Sequence, residues 1–191
     1  MTESPSSPTP TVDLALQLVA GAYRAPTDAL VADLQSGDIA AAVEALADEL
    51  GVPAPVLARP DLSALQASHV ALFVTSIGGL PAPPYVGLAA DGELLGPTAE
   101  ALAGFYAHYG IKPSPTWHDL PDHVSAVAQA GLLLLAAGRT EAASALLTRF
   151  IAPWFARYAA AVDAADVSGF YGPLTRFLNS AVLEVSREAA T

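Results

Sequence analysis

The stretch that decides the fold of this 191-residue chain is residues 122–137, DHVSAVAQAGLLLLAA. After its first two residues it carries no charged side chain, and its length suits a helix of about four turns better than a strand. A helix that is apolar on nearly every side belongs in the interior of a globular protein. We therefore expect residues 122–137 to form the central buried helix of the domain.

The chain on either side of this stretch follows the helical pattern as well. Apolar residues recur at helical spacing, capping residues precede them, glycine or proline follows, and no segment alternates as a strand does. The other predicted helices span residues 11–25, 27–34, 39–50, 61–77, 97–110, 140–165 and 167–188. The predicted fold class is all-α: one globular domain, residues 11–191, of seven or eight helices. A Ser/Pro/Thr-rich lead-in, residues 1–10, is predicted to be disordered.

The longest predicted irregular connection is residues 78–96, which is rich in proline and glycine. It is unusually apolar for a solvent-exposed loop, since it contains Leu80, Tyr85, Val86 and Leu88. Long connections inside compact domains are more often functional than accidental. We therefore expect part of this segment to contribute to a binding surface.

Charge and composition exclude several classes of protein. The chain has 19 acidic and 8 basic residues, a formal net charge of -11, so a basic surface for nucleic acid is not expected. It has no cysteine, which excludes disulfides and thiolate metal sites. The uncharged stretch 62–90 is interrupted by glycine and proline at 78–84, so stable membrane insertion is not expected. Without a secretory signal pattern, a cytoplasmic location is predicted.

One polar cluster could carry chemistry, residues 117–123, WHDLPDH. Two carboxylates and two imidazoles in seven residues could bind a metal or act as acid and base. A proline separates the two histidines, which do not share a helical face, and an aspartate at a helix start is a natural cap. Three interpretations stay open: a surface with a cap, a pocket for a basic ligand, or a metal-dependent hydrolase using His118, Asp119, Asp122 and His123.

Six short motifs, the last made of two segments, occur in a fixed order between residues 72 and 178. They are Leu72-Phe73, the proline-rich residues 81–85, Leu94-Leu95-Gly96 followed by Thr98, residues 105–110, Pro121-Asp122-His123, and the aromatic segments 150–154 and 170–178. Together these motifs resemble those of the TorD/DmsD/NarJ-type redox enzyme maturation chaperones, which mature molybdenum-dependent oxidoreductases.

The resemblance implies a TorD-like fold and a non-enzymatic, cytoplasmic chaperone without a cofactor, metal or catalytic residues of its own. Its partner would be a molybdopterin oxidoreductase subunit, recognised through its twin-arginine signal peptide, its apo form, or both. The chaperone would assist cofactor insertion before export and would be a monomer or a homodimer. The alternatives are the hydrolase above and a general adaptor module that binds a helix of another protein.

The resemblance also implies a set of client-binding residues in this sequence. They are Leu72, Phe73, Pro83, Pro84, Tyr85, Gly96, Asp122 and His123. Residue chemistry adds Trp117, which could form an apolar groove with Phe73 and Tyr85, and Asp119, which could pair client guanidinium groups together with Asp122. On base rates alone, side chains such as Leu72 and Phe73 at helical spacing are core residues more often than groove residues.

Overall fold

The computed structural model describes residues 10–75 and 79–188. Over these residues the chain is helical, with one isolated β-bridge and no β-strand. The α-helices are α1 Pro10–Ala22, α2 Asp28–Ser36, α3 Asp38–Leu50, α4 Leu62–His69, α5 Val86–Asp91, α6 Pro97–Tyr109, α7 Val124–Ala136, α8 Thr140–Leu146, α9 Ala152–Ala165 and α10 Tyr171–Glu188. None of them is long and apolar enough to cross a membrane.

Two π-helical turns join some of these helices into longer rods. Val70–Val74 continues α4, and Leu147–Ile151 joins α8 to α9, so the described residues form nine continuous helical segments. Eight of them correspond to the predicted helices, and the all-α prediction is confirmed. The ninth, α5, lies inside the connection that was predicted to be irregular. Residues 76–78, predicted to end the fourth helix, and residues 1–9 of the predicted lead-in lie outside the described residues.

The core forms where α7 packs against α1 and α8, and α10 packs against α9 and α1. Gly131 of α7 faces α1 so closely that a Cβ there would lie 2.8 Å from both methyl carbons of Leu16. The helix α7, predicted to be the central buried helix, is buried over much of its surface but has one uncovered face, where Leu133 is 61% exposed. Because α7 packs chiefly on two helices, its remaining side is left uncovered.

The apolar residues of the long connection serve the core in part. Ala82 and Val86 are fully buried, and the Ala82 amide donates to the Leu72 carbonyl at 3.2 Å. Burial of this segment on both sides of Tyr85 fixes the position of the tyrosine between α4 and α7.

Candidate functional site

The proline-rich motif and the Pro-Asp-His motif are adjacent in the structure. Tyr85 and His123 form an antiparallel β-bridge, and two backbone hydrogen bonds, of 3.0 and 2.8 Å, join residues 84–86 to residues 122–124. The bridge holds the segment before α5 against the start of α7. It brings together two of the motifs on which the predicted site depends.

Asp122 lies behind this bridge, with only 2% of its surface exposed. Its Oδ2 accepts a hydrogen bond from the Gly87 amide in the first turn of α5, at 3.0 Å. Its Oδ1 is buried and has no hydrogen-bond partner among the described residues. Asp122 borders a small, largely apolar cavity of about 150 Å³ with Tyr106 and Pro121. The carboxylate therefore fastens α5 to the start of α7, and Asp122 does not line the larger cavity formed by other motif residues.

A larger cavity, of about 380 Å³, lies beside the Tyr85–His123 bridge and is lined by both of these residues. Six of the ten predicted site residues line it: Phe73, Pro84, Tyr85, Trp117, Asp119 and His123. The rest of the lining comes from the turn after α1, from α4 with its π turn, and from the loop before α7: Tyr23, Arg24, Ala25, His69, Val74, Thr116 and His118. We call this space the bridge cavity.

The other predicted site residues do not line the bridge cavity. Leu72 is a core residue with 1% exposure, and Pro83 is half-buried outside the lining. A Cβ on Gly96 would lie 2.9 Å from the carboxylate of Asp91, which accepts the Thr98 amide at the start of α6 at 2.7 Å. Gly96 therefore leaves room for a helix-capping carboxylate, a role that a sequence motif does not distinguish from client contact.

Three rings form one wall of the bridge cavity. The His123 ring lies between those of Tyr85 and Trp117, with its centroid 5.6 Å from each. The Tyr85 hydroxyl donates to Asp119 Oδ1 at 3.0 Å, and the Arg24 guanidinium lies over Trp117, 5.7 Å from the ring centroid. Burial and the Asp119 carboxylate raise the pKa of Tyr85 to about 12, so the hydroxyl keeps its proton. The wall carries a carboxylate beside Tyr85 and a guanidinium on Trp117.

His123 is neutral in this setting. Its Nδ1 accepts the Ser125 amide at 3.1 Å and caps α7, so the proton of the neutral ring is on Nε2. Burial is the main cause that lowers the pKa of His123 to about 4. The Asp119 carboxylate opposes this shift, whereas His69 and Arg24 add to it. At neutral pH the imidazole is therefore an N–H donor and an aromatic surface, and it carries no charge.

The floor of the cavity is aromatic. His69 approaches the Tyr23 carbonyl through Nε2 at 3.3 Å and packs edge-on against Phe73 at 5.2 Å. Burial lowers the pKa of His69 as well. The Tyr23 hydroxyl donates to Thr175 of α10 at 2.9 Å, which anchors the floor to the last helix. The floor is therefore a fixed, uncharged surface.

Sequence reasoning missed Tyr23 and Arg24. Both lie just after α1, far along the chain from the motifs, and no pattern in the sequence relates them to Trp117. Only the packing of α1 on α7 brings the end of α1 to the bridge cavity. Arginine is scarce in this acidic chain, which makes Arg24 noticeable in the sequence, but scarcity does not indicate where in the fold Arg24 lies.

The metal-dependent hydrolase interpretation finds no support in the geometry. Within residues 10–75 and 79–188, no group of three or more His, Asp or Glu side chains is placed to hold a metal ion. Of the predicted ligands, Asp122 is engaged with α5, and His123 uses Nδ1 to cap α7.

Comparisons with known proteins agree with this fold. The family model described as nitrate reductase delta subunit matches residues 33–160. Among the solved structures that match is a candidate redox enzyme maturation protein from Archaeoglobus fulgidus, with 22% identity and a TM-score of 0.61 over 91% of this chain and 93% of that chain. At this identity the likeness concerns the fold alone. No curated protein shows significant similarity to the chain.

Proposed function

The chain belongs to the nitrate reductase delta subunit family, and we propose that it is a cytoplasmic chaperone for a molybdopterin oxidoreductase subunit. It binds the twin-arginine signal peptide of that subunit, its apo form, or both, and assists insertion of the molybdenum cofactor before export. It catalyses no reaction itself. The family membership confirms the resemblance to redox enzyme maturation chaperones, whereas the TorD or DmsD subtype stays a prediction.

The observation that carries the proposal is the composition of the bridge cavity. Most of its lining lies within the matched residues 33–160. A twin-arginine signal peptide combines guanidinium groups with an apolar stretch. The faces of Trp117 and Tyr85 suit the planar guanidinium, which stacks on aromatic rings more readily than an ammonium does. The Asp119 carboxylate suits charge-assisted hydrogen bonding to the same group.

Asp119 takes the arginine-pairing role in this proposal, and Asp122 a supporting one. Asp119 is exposed at the cavity, and its Oδ2 accepts no hydrogen bond from the described residues. The apolar part of the client extends over Phe73 and Val74, since Val74 is 57% exposed at the cavity edge. Buried Asp122 keeps the bridge in place.

Calorimetric titration tests the proposal with the leader peptide of a molybdoenzyme encoded beside this gene. We expect binding by the twin-arginine peptide and weaker binding by a twin-lysine version, because lysine cannot make the bidentate contact. Asp119→Asn is expected to weaken binding by about 3- to 10-fold, more at low salt than at high salt. Asp48→Asn is the matched control, since Asp48 is exposed on α3 and does not line the cavity.

Failure of every neighbouring leader and apoenzyme to bind would contradict the proposed function. A pull-down dominated by a protein that is not a molybdoenzyme would favour the helix-binding adaptor instead. Equal affinities for Asp119→Asn and the wild type would remove Asp119 from the site.

A further inference from the structure

Arg24 is a cation of the bridge cavity without an acidic partner. Its guanidinium lies 5.7 Å from the centroid of the Trp117 ring. No carboxylate of the described residues forms an ion pair with it. Asp119 borders the same cavity, yet its Oδ1 is engaged by the Tyr85 hydroxyl and the Leu120 amide, at 3.0 and 2.7 Å. Arg139 and Arg149 also lie over aromatic rings, but of these three arginines Arg24 alone lines the bridge cavity.

We infer that Arg24 occupies the guanidinium subsite of the cavity, the face of Trp117 over which its guanidinium lies, and that an arginine of the client displaces it. The inference rests on the proposed function and specifies how its site is regulated. A planar cation is attracted to the indole face whichever chain supplies it, and one face does not hold two like charges. Arg24 therefore acts as a built-in competitor for its own subsite.

The position of Arg24 allows this exchange. It lies on the bend that follows α1, its side chain is exposed, and no described hydrogen bond or ion pair restrains it. Swinging it into water costs little more than the ring contact itself. The incoming guanidinium regains that contact and adds a hydrogen-bonded pair with Asp119. A lysine ammonium gains less on the ring and makes no bidentate pair, so the competition favours arginine over lysine.

The first test uses N-acetyl-arginine amide as the probe and does not depend on any client. The chain has two tryptophans, and their indole N–H signals are followed by ¹⁵N–¹H NMR. Trp154 is 3% exposed and serves as an internal reference. In Arg24→Gln, the Trp117 signal is expected to titrate with a Kd about 2- to 10-fold lower than in the wild type. The matched control is Arg139→Gln, because Arg139 lies 5.6 Å over Tyr109, outside the cavity, and should leave that Kd unchanged.

The second test repeats the comparison with the twin-arginine leader peptide. Arg24→Gln is expected to tighten leader binding by about 2- to 10-fold, with a smaller gain for the twin-lysine peptide. Unchanged or weaker arginine binding in Arg24→Gln, by the amide or by the leader, overturns the inference. If the leader binds neither protein while the amide still prefers Arg24→Gln, the proposed function is wrong and the subsite stands.

Discussion

Replacement of Asp122 by alanine removes the carboxylate that accepts the Gly87 amide in the first turn of α5. A hydrogen bond to a charged acceptor contributes about 1.5–3 kcal/mol to stability. Asp122 Oδ1, however, is buried without a partner, so the wild type already carries a desolvation cost that alanine relieves. We therefore expect Asp122→Ala to lower the free energy of unfolding by about 1–2 kcal/mol, around and below the lower end of that range.

Urea and thermal unfolding measure this loss. For a domain of this size, 1–2 kcal/mol corresponds to a fall in Tm of about 2–8 °C and in the urea midpoint of about 0.5–1 M. Asp122→Asn retains an oxygen acceptor for the Gly87 amide and should lose less than half as much. Asp48→Ala is the control, since Asp48 is exposed on α3 and should change stability by no more than about 0.5 kcal/mol.

The same variants separate a supporting role from client contact. Because Asp122 acts through α5 and the bridge, its loss should weaken leader binding equally at low and high salt. An Asp122→Ala protein as stable as the wild type, with an unchanged m-value, would refute the supporting role. So would a loss of leader affinity that high salt abolishes, since this would indicate direct pairing with a client cation.

Two further predictions concern the core and the pH dependence of stability. Gly131→Ala places its Cβ 2.8 Å from the Leu16 methyl carbons and should lower the free energy of unfolding in urea by about 1–3 kcal/mol. The control Gly104→Ala has open space around it in α6 and should leave stability unchanged or raise it. The reverse order of stabilities would contradict the close approach of α1 and α7. The pKa of His123 falls from 6.5 to about 4 on folding, so between these pH values the folded protein binds fewer protons than the unfolded chain. The free energy of unfolding should therefore decrease as pH drops through this window, by at most about 1.4 kcal/mol per pH unit for this group. His123→Asn keeps a helix cap and should flatten that slope, measured by urea unfolding from pH 7 to 4; an unchanged slope would show that other groups, His69 among them, account for it.

Six of the ten predicted site residues line one cavity: Phe73, Pro84, Tyr85 and His123 come from the family motifs, and Trp117 and Asp119 come from residue chemistry. The Pro-rich and Pro-Asp-His motifs were predicted separately, and the Tyr85–His123 bridge explains why both belong to one site. The remaining residues show the limit of a motif. Leu72 shares its motif with Phe73 of the cavity, yet it fills the core, and Gly96, in a motif that gives the cavity no residue, makes room for Asp91.

The sequence by itself determined the family and eight of the nine helical segments of the described residues, all except α5, because both depend on short-range signals. Helical periodicity repeats within a few residues, and the cap at Thr27, whose hydroxyl accepts the Leu30 amide at 3.3 Å, acts over one turn. The motifs likewise need only their order along the chain.

Only the tertiary structure decided which aspartate faces the cavity and which cation enters it. Asp119 and Asp122 are three residues apart with the same side chain, and the bridge beside α5 buries one while leaving the other exposed. Arg24 reaches Trp117 because α1 packs against α7. The direction of a side chain and the meeting of distant segments are set by long-range packing, and no local pattern in the sequence encodes them.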